Sequence, residues 1–205
     1  MNEEIDFKEV YKEFQPKILH YIERLTGNHE AEDVTQEVFE KVSRRLEGFR
    51  GDSKLSTWIY RIATNTALDK LRSPSFKRSA ENTPLEDITQ PANGKIWNGQ
   101  KERFTDQNII RKEMSKCVRE LIDKLPPDYK TVVILSELVG FKNREIAEIL
   151  QVSLDTVKIR LHRARTNLKK ELGDGCSFYH NEEGTFACDR KPISIESSMK
   201  SKKSV

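Results

Sequence analysis

The sequence predicts an all-α protein: two small helical domains joined by a flexible linker, the second containing a helix-turn-helix, plus a short C-terminal extension. Two observations predict it. Apolar residues recur at three- and four-residue steps through most of 7–72 and 112–172, the period of helices with one covered face. Between those blocks the period is lost, and Pro74, Pro84, Pro91, Gly94 and Gly99 give 73–111 the composition of a linker. Residues 173–205 form the extension.

Ile18, Tyr21, Ile22 and Leu25 predict a first helix, interrupted at Thr26-Gly27-Asn28. A second runs over about 31–46 with Val34, Val38, Phe39 and Val42 on one face, and ends before Gly48. After the loop Arg50-Gly51-Asp52-Ser53, a third covers about 56–71 with Ile59, Ile62, Ala63 and Leu71. Three amphipathic helices can cover one another's stripes and make a small bundle. In the second block a helix over about 109–125 stops at Pro126-Pro127. Two short helices follow over 129–138 and 143–150, and a last one over 154–172 is closed by Gly173.

Composition excludes several classes. With 36 Lys+Arg against 33 Asp+Glu the net charge is +3, so a nucleic-acid reading must rest on where the charges sit. The strongest apolar run, 132–135, is far short of the ~20 residues that span a bilayer. The first six residues lack a secretion signal, and three cysteines are too few for a disulfide framework. A cytoplasmic protein without membrane insertion is expected. An enzyme is not: there is no Gly-rich phosphate loop, no paired metal-ligand motif and no nucleophile–base arrangement.

The segments 143–150 and 154–165 are joined by Gln151-Val152-Ser153, with Ile146, Ala147, Leu150, Val152, Val157 and Leu161 spaced for one small shared core. Ala147 is small where the helices cross, and the Ser153 hydroxyl can cap the second helix. That helix carries Lys158, Arg160, His162, Arg163 and Arg165, with Ile159 as an apolar contact. A solvated face explains most charge runs, yet here turn, crossing residue and cap stand in register. Basic residues so placed can reach phosphates and base edges of a major groove. Gln151 stands where glycine often takes a left-handed backbone, at about 1 kcal/mol.

The first block offers two further faces. Asp33, Gln36, Glu37 and Glu40 form an acidic, amide-bearing surface unsuited to DNA and suited to a basic protein partner. Trp58, Arg61, Asn65, Asp69 and Arg72 recur along one side of the third helix, a mixture that fits unstacked bases better than a closed duplex. The plainer alternative puts Trp58 in the core and leaves the rest to solvent.

Together, Glu32-Asp33-Val-Thr-Gln36-Glu37-Val-Phe39, Phe49-Arg-Gly-Asp52 through Ala67, and Leu125-Pro126 through Arg165 resemble the extracytoplasmic-function (ECF) group of sigma-70 family factors of bacterial RNA polymerase. The resemblance implies that 7–72 is sigma region 2 and 112–172 is region 4. It implies that 33–40, through Asp33, Gln36, Glu37, Phe39 and Glu40, docks on core RNA polymerase. Residues 49–56 and the face from Trp58 to Arg72 would recognise and open the −10 element, with Asn65 on a base. Lys158, Ile159, His162 and Arg163 would read the −35 element of promoter DNA, with Arg160 and Arg165 on phosphates. An anti-sigma factor is an expected partner. Lys142 stands where relatives often start the motif with Ser or Thr, and Asn143 is the expected replacement cap. The runner-up function is a stand-alone helix-turn-helix regulator with a sensory or dimerising first domain.

In the extension, Asn181-Glu-Glu-Gly184 predicts a hairpin turn that brings Cys176 near Cys188. No resident cofactor is expected. One reading is a zinc or thiol sensor using Cys176, His180 and Cys188, which for structural zinc needs a fourth ligand, Asp189 or Cys117. The plain alternative is an appendage whose reduced cysteines pack on the second domain. Residues 194–205 read as a disordered basic end.

Overall fold

The structure is a computed structural model that describes residues 5–27, 30–74, 106–180 and 186–191. The central linker, the hairpin turn and the basic end predicted from sequence lie outside these residues. Among the described residues the order is α1 (Phe7–Thr26), α2 (Ala31–Arg45), α3 (Leu55–Arg72), α4 (Asp106–Asp123), α5 (Pro127–Val133), a π-helical turn (Ile134–Leu138), α6 (Asn143–Leu150), α7 (Leu154–Gly175), β1 (Cys176–His180) and β2 (Phe186–Arg190).

The chain forms two compact units. The first takes the described residues of Met1–Asn98 together with Pro126–Ala164. Its core begins with α1, capped by the Asp6 carboxylate, which accepts the Lys8 N–H at 3.0 Å. Val10, Phe14, Ile18, Tyr21, Ile22 and Leu25 of α1 meet Val34, Val38 and Val42 of α2 and Ile59, Tyr60, Ile62 and Ala63 of α3, all buried. One polar pair sits inside: the Tyr21 and Thr64 hydroxyls lie 2.7 Å apart, and Thr64 donates to the Tyr60 carbonyl, also at 2.7 Å. Burial pushes the Tyr21 phenol far above its usual range and the Tyr60 phenol up to about 12, so both remain neutral donors at neutral pH.

The α5 segment and π-turn bury Val132, Val133, Ile134 and Leu135 in succession. Four consecutive helical residues sweep roughly 300° around the axis, so burying all four requires cover on nearly every side. Val139 N–H closes the wider turn onto the Ile134 carbonyl at 3.1 Å. The α6–α7 motif forms as its spacing predicts, with Ile146, Ile149, Val157, Leu161 and Ala164 buried. Gln151 takes φ 54° and ψ 42°, the left-handed turn expected of it, and its N–H bonds the Ala147 carbonyl. Ser153 Oγ accepts the Thr156 N–H at 3.1 Å and caps α7.

Two local expectations change. Asn143 does not cap α6. Glu145 reaches back instead and accepts the Lys142 N–H at 2.9 Å, satisfying a helix-start donor from inside the first turn. Gly173 does not close α7, which continues to Gly175. Its backbone keeps the helical sign of φ, and a single interior glycine costs only about 1 kcal/mol.

The second unit takes the described residues of Gly99–Leu125 and Arg165–Val205. In it, β1 and β2 pair antiparallel from Cys176 opposite Arg190 to His180 opposite Phe186, the hairpin the extension predicts. The ladder packs against α4, where Arg190 forms an ion pair with Glu120.

Candidate functional site

The acidic face of α2 forms because Val34, Val38 and Val42 turn inward at helical spacing and leave Asp33, Gln36, Glu37 and Glu40 exposed. Glu37 pairs with Lys41 at 2.7 Å and Glu40 with Arg44 at 3.4 Å, each one turn along the helix. Phe39 lies on the covered stripe beside the valines, as its spacing predicts. It is buried, with its ring edge-on to Tyr11 at 4.8 Å, because α1 supplies an aromatic wall. It becomes the floor of a shallow groove lined by Phe7, Tyr11, Gln36, Glu40, Ser43 and Arg44. The face is thus acidic with an apolar crease along it.

On α3 the Asn65, Asp69 and Arg72 positions are exposed, while Trp58 and Arg61 are half-buried. Trp58 is not a core residue: its ring leans on Phe49 from the preceding loop, with centroids 5.3 Å apart. Arg61 Nε donates to the Glu148 carbonyl of α6 at 2.9 Å. Further contacts tie α3 to the helix-turn-helix. Lys54 and Glu145 form a 2.7 Å ion pair, and Tyr60 and Phe141 meet edge to face at 4.9 Å. Lys54 holds the Glu145 carboxyl below the usual carboxylate range, helped by the Lys142 backbone N–H, and Glu145 raises the Lys54 ammonium in return.

The outer face of α7 shows Lys158, Ile159, His162, Arg163 and Arg165 exposed, with Ile159 half open to solvent. Lys158 makes a 3.3 Å pair with Asp155 of its own first turn. Arg160 differs from its neighbours. Half-buried, it turns to Asp128 of α5 at 2.8 Å and so braces the motif. Sequence spacing could not separate it from the others, since Asp128 lies 32 residues earlier.

His180 does not join the cysteines. It lies opposite Phe186, four residues along β1 from Cys176, roughly 13 Å at the rise of a strand. Cys117 of α4 does: its Sγ is 3.8 Å from that of Cys176. Among the described residues no group of three or more His, Cys, Asp or Glu has the geometry to hold a metal ion. Nor, among them, is any helix long and apolar enough to cross a membrane.

Comparison with known proteins gives one consistent answer. Residues 10–77 match the family described as sigma-70 region 2, and residues 115–168 match sigma-70, region 4. The ECF RNA polymerase sigma factor SigW of Bacillus subtilis is 35% identical over 176 residues, 82% of this chain and 88% of that protein. The ECF RNA polymerase sigma-E factor of Haemophilus influenzae is 32% identical over 167 residues, 81% of this chain and 87% of the relative. Among solved structures, the sigma factor RpoE from Bartonella quintana, in complex with the anti-sigma factor NepR, aligns with TM-score 0.61 at 21% identity. That alignment covers 82% of this chain and 97% of the other. At such identity the likeness speaks to the fold.

Proposed function

The chain belongs to the ECF RNA polymerase sigma factors, and from that premise we propose how its surfaces divide the work of transcription initiation. It associates with core RNA polymerase, directs it to promoters and helps open them, in the cytoplasm and without catalysis of its own. Residues 7–72 act as region 2, 112–172 as region 4, and 73–111 as the tether between them.

The α2 face docks on core polymerase. Asp33, Gln36, Glu37 and Glu40 supply charge and amide contacts to a basic surface, and the Phe39 crease takes an apolar side chain. The α3 face works on the −10 element: Trp58, held by Phe49, offers a stacking platform for a base that has left the duplex, Asn65 bonds its edge, and Arg61 and Arg72 meet phosphates. The α7 face works on the −35 element through Lys158, Ile159, His162 and Arg163, with Arg165 on the backbone and Arg160 as an internal brace. These two elements lie roughly 50 Å apart along a duplex, about one and a half helical turns. Simultaneous engagement therefore requires α3 to leave α6, and the 33 tether residues that precede α4, with an extended reach above ~100 Å, permit it. Tethering then raises the effective concentration of the second contact, so neither need be tight alone. An anti-sigma protein is an expected regulator, as in the neighbouring complex with NepR.

The observation that carries this reading is the pair of helix faces, acidic on α2 and basic on α7, joined to sequence identity that runs through both. Run-off transcription with purified core polymerase tests it. Gln36→Ala weakens association with core enzyme, while Arg163→Ala changes upstream-element use and leaves association intact. A chain that fails to co-elute with core polymerase overturns the assignment.

A further inference from the structure

All three cysteines of the chain, far apart in sequence, meet in the second compact unit. Cys117 comes from α4, Cys176 opens β1 and Cys188 lies on β2. The Cys117 and Cys176 sulfurs are 3.8 Å apart and both residues are buried, while Cys188 is half-buried and near enough to help raise the Cys176 thiol. The ladder register explains that proximity: Cys188 sits opposite Phe178, two residues from Cys176 on the same face. Arg190, paired with Glu120 of α4, lies near the Cys117 thiol.

We propose that these residues form a thiol-oxidation site in which a hydroperoxide converts Cys117 and Cys176 into a disulfide, with Cys188 as the entry thiol. The sulfurs of Cys117 and Cys176 need to close by less than 2 Å in total to reach the ~2.05 Å of a disulfide. Burial and the two neighbouring thiols push the Cys176 thiol up to about 11, so it is protonated at neutral pH and a poor first nucleophile. Cys188 has the solvent access that the buried pair lacks. Its thiolate attacks one peroxide oxygen and the O–O bond breaks. This leaves a sulfenic acid and a hydroxide that takes up a proton to become water. The Cys176 sulfur then attacks the Cys188 sulfur, and its proton leaves with the displaced hydroxyl as a second water. Cys117 exchanges onto Cys176, forms the final bond, and passes its proton to the released Cys188. Two thiols lose two electrons and two protons, and one hydrogen peroxide becomes two waters.

A zinc site is the rival reading of three sulfurs, and the geometry favours oxidation over it. Structural zinc takes four ligands, and the histidine of the extension stands at the far end of the ladder. Oxidation would have a long structural reach. The bond joins positions 59 residues apart, and the enclosed segment contains the entire α6–α7 turn. Closing a loop of that size restricts the unfolded chain strongly and should raise the melting temperature on the order of 10 °C.

The test treats the reduced full-length chain with one to five equivalents of hydrogen peroxide, then alkylates, digests and maps it by mass spectrometry. The expected product is two mass units lighter, carries a Cys117–Cys176 linked peptide, melts higher, and reverts with dithiothreitol. Cys188→Ser should slow linkage at least tenfold, and Cys117→Ser should stop at a Cys176–Cys188 link. A wild-type chain that keeps three alkylatable thiols, or gains only unlinked sulfinic acids, overturns the proposal. So does zinc titration that gives one ion per chain and protects all three thiols from alkylation. None of these readouts involves polymerase or promoter, so their failure leaves the sigma assignment standing.

Discussion

The outer faces of α3 and α7 carry similar residue types at similar spacing, yet they stand in different states. On α7, Lys158, Ile159, His162 and Arg163 are exposed. On α3, Arg61 bonds the α6 backbone and Trp58 leans on Phe49. The difference follows from what each helix packs on. Opposite its outer face, α7 buries Val157, Leu161 and Ala164 within its own motif, which leaves Lys158, Ile159, His162 and Arg163 exposed. The α3 helix is covered on more than one side: α1 and α2 bury one stripe, and α6 approaches another. On the proposed roles, the α7 surface meets a duplex as it stands, and the α3 surface exchanges protein contacts for nucleic acid.

The largest test of that contrast is Trp58→Ala. A stacking platform contributes about 1–3 kcal/mol per base, so promoter opening should fall by roughly ten- to a hundredfold. Permanganate reactivity of −10 thymines reads it, while binding of a −35 duplex should be unchanged. Arg163→Ala should cost a comparable or smaller ~1–3 kcal/mol, and only at promoters that carry a −35 element. Run-off yields on templates with and without that element separate the two. If both variants gave the same template dependence, the division between α3 and α7 would be wrong.

Loosening α3 from α6 sharpens the comparison further. Phe141→Ala removes the edge-to-face contact with Tyr60 and should lower stability by about 1 kcal/mol in urea melts. Because the same contact holds α3 in place, transcription by this variant should not fall. The smallest effect belongs to Lys54–Glu145. The Glu145 carboxyl is depressed in the folded chain, chiefly by its bond from Lys54, so its stabilisation is present above the ordinary carboxylate range. It is lost as pH falls through the lower folded value. Urea midpoints measured from pH 7 down to pH 3 should show wild type and Glu145→Gln converging at the acid end.

Much of this was legible in the chain itself. The α6–α7 turn, the Ser153 cap, the left-handed Gln151 and the inward valines of α2 depend on residues within a few positions of one another. Local spacing is enough to read them. That Phe39 meets Tyr11 and Arg160 meets Asp128 was not legible, because each partner sits on another helix. His180 fell out of the cysteine group because the ladder's register carries it away from Cys176.

By itself the sequence determined helices, their covered stripes, the signs of their exposed faces and the family they belong to, because each follows from side-chain chemistry repeated at the helical period. Only the tertiary structure decided which exposed groups find partners: Arg61 on α6, Arg160 on α5, Cys117 beside Cys176. Those pairings join residues 87, 32 and 59 positions apart, and no local period records a contact made by chain reversal and packing.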